Sequence, residues 1–408
     1  MNRLLYCLSV YNFLFPIRLV YIDKSEWIFL SFPLIYLGLN SDKSLRFLKN
    51  KRYKDTFYIA IILLSLGLIS SMLYSGDYMA TMMFSKWFLF FIIATGIVLW
   101  SYSLYGMYFF NKLCAVMVCA GLIIAASNVL EFFSSDFRQF LLSFIDVTGN
   151  SSYDTSFRTH GFASGGGASL SIGILVLSFV AYLKFVNSTR SLQKIFYYCA
   201  FIFIYISNLV IGRTGLFLGM PVFIYLVFFR NLQLKNIFKR FIIIGLLVSI
   251  SLYLISLIDE RLMNVIYKYG LEPIYRYREL GTFESKTTSH VITMYWWPNW
   301  VHIITGAGFW RWPTCGYDLP DPGYMKLLMS TGLFGFIIFY SYQMVIYYEA
   351  FKYYVNGYGL KLLFAFLFSV LFFAELKEAV FVQNYGFKIL SLFIVNSWLG
   401  VYKKSWIS

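Results

Sequence analysis

Charged residues are scarce in this sequence. Only 13% of its 408 residues are Asp, Glu, Lys or Arg, whereas soluble proteins carry roughly a quarter. Hydrophobic residues make up 59%, and the mean hydropathy is +0.67. The apolar runs are continuous over about twenty residues, which predicts membrane-crossing helices and excludes the ten-residue alternation of β-barrel strands. We therefore predict an all-α polytopic membrane protein.

Cysteine is equally rare, with five residues in the chain. Four of them fall in apolar runs, and Cys315 stands alone in a polar stretch. This distribution excludes a disulfide framework of the kind that stabilises small secreted proteins.

Acidic residues are outnumbered, with 19 Asp and Glu against 34 Lys and Arg and a net charge of +15. The excess does not indicate nucleic-acid binding, because no basic stripe lies on a soluble domain. The lysines and arginines cluster in short loops instead, most densely at 43–54. Positively charged loops mark the cytoplasmic side of a membrane protein, and further basic loops near 184–194, 230–240, 352–361 and 403–404 alternate consistently with the first.

Twelve transmembrane helices follow from the apolar runs, with both termini in the cytoplasm and one membrane domain over 1–408. They are predicted at about 3–21, 26–40, 56–74, 79–101, 107–130, 164–184, 192–210, 213–229, 240–258, 323–348, 358–375 and 385–402. Two large loops, 131–163 and 259–322, then lie on the extracytoplasmic side. All three histidines of the chain fall in these two loops.

The first candidate site lies in the first large loop, where Arg158 and His160 precede Gly161 and a run of three glycines at 165–167. Successive backbone N–H groups at a helix start attract anions, and glycine lets a ligand approach closely. Arg158 beside such a turn would suit a phosphate. A flexible loop entering a helix explains the same residues equally well.

Two basic residues lie at or within predicted helices. Arg213 sits in a tight turn, Gly212-Arg213-Thr214-Gly215, on the extracytoplasmic side. A positive charge there runs against the charge bias, which favours a function such as gripping phosphate oxygens over an arginine that merely reaches the lipid headgroups. Lys86 is a weaker candidate, because a lysine two turns from the outer end of a helix can simply extend to the interface.

The third candidate site ends the second large loop, with Gly306-Ala307-Gly308, Arg311 and Asp321. Asp321 stands just before the tenth predicted span, where a carboxylate can cap the helix or act as a general base.

Two other polar groups in the outer loops are less informative. Glu375, Lys377 and Glu378 crowd a short turn and are expected to form a solvated charge cluster. His290 and His302 flank a tryptophan-rich run, but acidic or cysteine partners at ligand spacing are lacking, so no metal site is predicted. The tryptophans fit an interfacial helix or a surface that stacks on sugars.

Three of these motifs resemble the bacterial O-antigen polymerases of the Wzy type and, more distantly, the O-antigen ligases. Residues 158–161 are similar to the arginine–glycine segment of the family's first periplasmic loop, and 212–215 to its Ser-Arg-Thr-Gly turn. Asp321 precedes Gly332 by ten intervening residues, the family's spacing at the end of the second loop. The chain departs from the family in carrying His290 where an arginine is common and Asp321 where histidine is common.

The resemblance implies an enzyme in the bacterial inner membrane that joins oligosaccharide repeat units carried on undecaprenyl pyrophosphate, which serves as donor and acceptor, at the periplasmic face. Asp321 would be the catalytic base. Arg158, Arg213, Arg311 and Arg278 would neutralise the pyrophosphate in place of a metal ion, with no cofactor and with inversion at the sugar carbon. His160, Gly161, His290 and Lys86 would support the site. A chain-length regulator protein is the partner that the family implies.

Two alternatives remain open from the sequence. An O-antigen ligase would use the same donor and transfer the glycan to lipid A-core. A lipid-linked oligosaccharide flippase would need ionisable residues along several spans and no long outer loop, and a long loop is what this chain has.

Overall fold

The computed structural model describes residues 2–22, 25–42, 47, 49–146, 159–226, 272–281, 292–311, 320–358 and 361–407. Within these ranges the chain is helical, and the only strand-like pairings are isolated bridges such as Leu19 with Ile145. The helices of the first half are α1 (Asn2–Leu14), α2 (Glu26–Leu39), α3 (Lys51–Leu73), α4 (Met79–Tyr105), α5 (Phe109–Phe133), α6 (Ser135–Phe144) and α7 (Gly167–Asn187).

The second half continues in the same way. Its helices are α8 (Ser191–Ile206), α9 (Asn208–Ile211), α10 (Arg213–Ile224), α11 (Glu272–Leu280), α12 (Trp300–Thr305), α13 (Gly323–Tyr358), α14 (Lys361–Glu375), α15 (Val380–Gln383) and α16 (Tyr385–Ile407). The predicted apolar run at 240–258 lies outside the described residues, as does much of the loop 259–322.

The described part of the chain contains five stretches that are long and apolar enough to cross a membrane. They are Lys51–Leu73, Met79–Phe133, Gly167–Asn187, Ser191–Ile211 and Gly323–Val355. An all-α membrane protein is therefore confirmed as the fold class. The number of spans and their orientation stay predictions. The first predicted run was too long, since α1 ends at Leu14 just before Pro16, which has no N–H to continue a helix.

Two helices form the centre of the bundle. Helix α7 packs against α5, α8, α10 and α16, and helix α4 packs against α2, α3, α5 and α16. The buried aromatic side chains Trp87, Phe91, Phe387 and Trp398 join α4 to α16, with Phe91 and Trp398 stacked at a centroid distance of 5.5 Å. These interlocked rings fix the helices that carry the polar turns described below.

Helix α13 is broken at Gly332, where φ is 69° and ψ is −175°. A Cβ at this position would lie 2.2 Å from the carbonyl oxygen of Ile304. The residue must therefore be glycine on two grounds, a left-handed φ and contact with another backbone. The break lets the end of α12 approach the axis of α13.

Candidate functional site

The segment 306–311, which we call the glycine segment, is inserted between the α3–α4 turn and the break in α13. The N–H groups of Ala307 and Gly308 both donate to the carbonyl oxygen of Met329, at 2.6 and 3.0 Å. A Cβ on Gly308 would lie 2.4 Å from the Ser70 carbonyl oxygen. The second large loop is thus fixed to the helix bundle at this point by backbone contacts that only glycine allows.

Asp77, in the α3–α4 turn, holds the end of the glycine segment. Its two carboxylate oxygens accept hydrogen bonds from the N–H groups of Trp310 and Arg311, at 2.9 and 2.7 Å. Charge-assisted bonds of this type are the stronger ones. They set the backbone of Arg311, whose side chain is exposed, at the N-terminal end of α4.

Asp321 lies where the second loop re-enters α13, and its side chain is half exposed. The carboxylate faces the Lys326 ammonium, with Oδ1 and Nζ 3.9 Å apart. Its own N–H donates to the sulfur of Met294 at 3.3 Å. Among the described residues the carboxylate caps no helix N–H group, so the capping interpretation fails and the carboxylate stays accessible.

The turn after α14 differs from the predicted solvated charge cluster, which was wrong for Glu375. This carboxylate is buried; it accepts from the Tyr340 hydroxyl at 2.8 Å and from the N–H groups of Val380 and Phe381 at 2.6 and 3.2 Å. A Cβ at Gly323 would lie 2.2 Å from its Oε1. Glu375 thereby holds the end of α14 against the start of α13, close to Asp321.

Lys377, in the same turn, reaches a different predicted motif. Its Nζ donates to the Thr214 hydroxyl at 2.8 Å, which places a second cation beside Arg213, the first residue of α10. The structure describes only the backbone of Arg213. Tyr295 strengthens the turn by donating to the Leu376 carbonyl at 2.6 Å. Burial raises the pKa of this phenol, and the Glu375 carboxylate raises the pKa further.

The backbone of the predicted arginine turn is held by a serine of α7. The Ser171 hydroxyl accepts from the Gly215 N–H at 2.8 Å and contacts the side chain of Asn208 and the carbonyl of Gly212. A Cβ at Gly212 would lie 2.9 Å from the Gly167 carbonyl oxygen. The turn 212–215 therefore lies directly on the glycine run 165–167, two motifs that the sequence placed in separate loops.

Thr159 joins the first large loop to the same place. It is buried, and its hydroxyl donates to the Val210 carbonyl at 3.0 Å. Arg158, the preceding residue, lies outside the described residues, as does His290. This bond fixes Thr159 to the helix that precedes Arg213.

His160 and Gly161 contact a buried carboxylate rather than a ligand-facing surface. Glu131 Oε2 accepts from the N–H groups of His160 and Gly161 at 2.9 and 2.7 Å, and Glu131 Oε1 lies 3.5 Å from His160 Nε2. Both side chains are buried. Gly161 has φ +55°, and a Cβ there would lie 2.3 Å from the Ser127 hydroxyl. These residues position the loop.

Replacement of Glu131 by alanine is expected to lower the free energy of unfolding by about 3 kcal/mol, since two buried N–H groups lose their acceptor. Glu131→Gln keeps an acceptor oxygen and is expected to cost much less. Thermal unfolding of the purified protein in detergent, followed by intrinsic fluorescence, measures both. Equal destabilisation by the two variants would contradict this role of Glu131.

The remaining predicted residues are less closely connected. Arg278 is exposed on α11, and its assignment to a pyrophosphate site stays a prediction. Trp296 and Trp297 lie in an irregular segment before α12, so the interfacial helix predicted for the tryptophans is wrong for these two, and Trp300 alone begins a helix. Trp297 and Trp300 are exposed, with ring centroids 6.0 Å apart.

Sequence analysis did not single out three residues of this region as functional: Glu131, Lys326 and Lys377. Lys326 lies in an apolar helix, and an ionisable residue in that setting is itself a signal of function. Glu131 gave a weaker signal at the end of an apolar run, and Lys377 gave none, because its partner Thr214 is distant in sequence.

The contacts above connect the outer turns of the bundle directly, so the described turns that carry these residues lie at one end of it. Comparison with known protein families finds no matching family model, and comparison with curated proteins finds no significant match. The case for a function therefore depends on the chemistry of this end of the bundle.

Proposed function

We propose that the chain is an O-antigen polymerase, a glycosyltransferase that joins oligosaccharide repeat units carried on undecaprenyl pyrophosphate at the periplasmic face of the inner membrane. The observation that carries the proposal is the convergence, at one end of an apolar bundle, of an accessible carboxylate and several cations. Asp321 lies beside Lys326, and Lys377 lies beside the start of α10 at Arg213.

This set matches the charges of a glycosyl transfer from a lipid pyrophosphate. The hydroxyl oxygen of the acceptor sugar attacks the anomeric carbon of the donor, and the carbon–oxygen bond to the pyrophosphate breaks. The hydroxyl proton passes to the Asp321 carboxylate, and the electron pair leaves with the pyrophosphate. One base and one good leaving group give a single displacement with inversion.

Cations are needed where the negative charge develops. Lys377 donates to Thr214 beside Arg213 at the start of α10, and Thr159 is bonded to the helix before it. Guanidinium groups bind phosphate oxygens through paired N–H donors and stay charged at any working pH. In this proposal Arg158, Arg213 and Lys377 bind the leaving pyrophosphate, and Arg311 is held nearby by Asp77.

Deletion of the gene, followed by gel electrophoresis of the lipopolysaccharide, tests the proposal. The ladder of long chains is expected to collapse to a single repeat on the core and to return when the wild-type chain is expressed. Loss of every repeat would indicate a ligase or a flippase instead. An unchanged ladder would refute all three functions.

A further inference from the structure

A second group of charged residues lies between α1, α2, α4 and α16. Arg18 follows α1, Glu26 begins α2, Lys86 is in α4 and Lys388 is in α16; we call these four residues the inner cationic cluster. Arg18 Nε and Glu26 Oε1 form an ion pair of 3.0 Å. Glu26, Arg18 and Lys86 are the charged groups that act on the Lys388 ammonium.

The charges of the inner cationic cluster do not balance, because one carboxylate faces three cations. Lys388 is 6% exposed. Its Nζ lies over the rings of Phe90 and Tyr385, at 5.2 and 5.4 Å from their centroids, and no hydrogen bond or ion pair joins this ammonium to any residue that the structure describes. A buried cation without a carboxylate is costly in an apolar surrounding. An anion that enters from outside the protein would remove this cost.

Two buried polar atoms of the same region lack hydrogen-bond partners. Within the described residues, Glu26 Oε2 and the Tyr11 hydroxyl are buried and have no hydrogen-bond partner. Tyr11 and Tyr385 both have the Phe15 ring as a neighbour, at centroid distances of 5.8 Å. Buried polar groups in native proteins are normally satisfied. Unsatisfied groups beside an unpaired ammonium mark a space that a polar ligand fills.

The glycine run 165–167 contacts residues of both groups of cations. The Tyr385 hydroxyl, next to Lys388, donates to the Gly165 carbonyl at 3.2 Å, and a Cβ at Gly212, next to Arg213, would lie 2.9 Å from the Gly167 carbonyl oxygen. Ser164 bonds to the Pro16 carbonyl at 2.8 Å, near Arg18 in the sequence. The inner cationic cluster and the turn 212–215 are therefore joined through this short run.

We infer that the inner cationic cluster is a second anion-binding site, which takes the phosphate group of a polyprenyl lipid carrier. Arg18 is half exposed and provides the entry from the outer surface, while Lys388 and Lys86 contact the phosphate oxygens inside. A reaction between two lipid-linked chains must hold two such phosphate groups, and the glycine run joins this cluster to the cations at the turn 212–215. The statement that this lipid phosphate belongs to a substrate rests on the proposed function. The binding of a lipid phosphate by the inner cationic cluster does not.

Binding to the purified full chain tests the inference. The protein in detergent is titrated with undecaprenyl phosphate, and in a separate arm with inorganic pyrophosphate, and the bound species are counted by native mass spectrometry. Lys388→Met is expected to weaken binding of the lipid by about tenfold or more, since a charged hydrogen bond is lost. Lys86→Gln is expected to weaken it in the same direction.

Lys184→Met is the matched control. Lys184 is another buried lysine with an aromatic neighbour, the Tyr197 ring at 5.0 Å, but it donates to Asn111 and has its partner within the protein. Its replacement is expected to leave lipid binding unchanged. Lys388→Arg keeps the charge and should keep binding if Lys388→Met fails to fold.

Equal lipid binding by the wild type and by Lys388→Met would overturn the inference. So would binding of inorganic pyrophosphate that depends on Lys388 while binding of the lipid does not, which would make the ligand of this cluster a free anion. Failure of the proposed function gives a different result. In that case the polysaccharide ladder is unaffected by gene deletion, yet lipid binding still depends on Lys388.

Discussion

Asp321→Asn is expected to abolish long-chain polymer while leaving the protein in the membrane at its normal level. The amide has the shape of the carboxylate but cannot accept the proton of the attacking hydroxyl. General-base catalysis contributes about 100- to 10,000-fold to rate, so the polymer should fall to a single repeat. Gel electrophoresis of the lipopolysaccharide, at protein levels matched by immunoblot, measures the effect.

Two variants control for charge and for position. Asp136→Asn removes an exposed carboxylate from the first turn of α6, in the first large loop, and should leave the ladder intact. Asp321→Glu keeps a base displaced by one methylene and should retain part of the activity. A full ladder from Asp321→Asn would show that another group takes the proton. Glu378, which acts on Lys326 together with Asp321, would then be the next residue to replace.

Gly308→Ala should strongly destabilise the protein, because the added methyl group meets both an unfavourable φ and another backbone. Gly308 has φ +73°, and the added Cβ would lie 2.4 Å from the Ser70 carbonyl oxygen and 2.9 Å from Ser71 Cα. A left-handed non-glycine residue alone costs on the order of 1–3 kcal/mol. The clash with the α3 backbone, which cannot move aside, adds to this cost. The apparent melting temperature should therefore drop, and the glycine segment should detach from α3.

Gly106→Ala separates the effect of a left-handed φ from the effect of a backbone clash. Gly106 has φ +57° and nothing within 4 Å of its Cβ position, so alanine there adds strain without a clash. Gly38→Ala adds neither, since it lies in α2 with open space around it, and it should be neutral or slightly stabilising. Thermal unfolding of the three purified variants should rank Gly308→Ala as clearly the worst. If Gly106→Ala is equally damaging, the contact with α3 contributes nothing.

The helices could be predicted from sequence because hydropathy is a property of consecutive residues. The run 79–101 becomes Met79–Tyr105 and the run 192–210 becomes Ser191–Ile206 followed by Asn208–Ile211. The ends were set by other effects. Pro16 stops α1, and the side chain of Asn50 accepts from the Arg52 N–H and starts α3 at Lys51. Hydropathy detects neither the proline that ends α1 nor the asparagine that caps α3.

The site was predictable only where one short motif contained it. Asp321, Gly332 and the glycines 306 and 308 were identified from a motif that resembles one of a known family, and the structure brings Gly306 and Gly332 into backbone contact. Lys377 and Thr214 are too distant in sequence for any motif to join them. Glu375 was misjudged because a carboxylate in a charged turn looks solvated, whereas backbone N–H groups five and six residues later supply its partners. Whether the Glu375 carboxylate finds these hydrogen-bond donors depends on the geometry of the turn, which the sequence does not show.

The break in α13 has a further consequence. At Gly332 the helix gives up part of its own hydrogen bonding, and the carbonyl of Met329 is satisfied by amides of Ala307 and Gly308 instead. In a medium without water an unsatisfied carbonyl costs several kcal/mol. The loop and the helix therefore complete each other, and neither has its native form alone. Insertion of α13 into the bilayer and ordering of the glycine segment therefore belong to a single cooperative folding step, and the backbone around Arg311 takes its native position only once the bundle has closed.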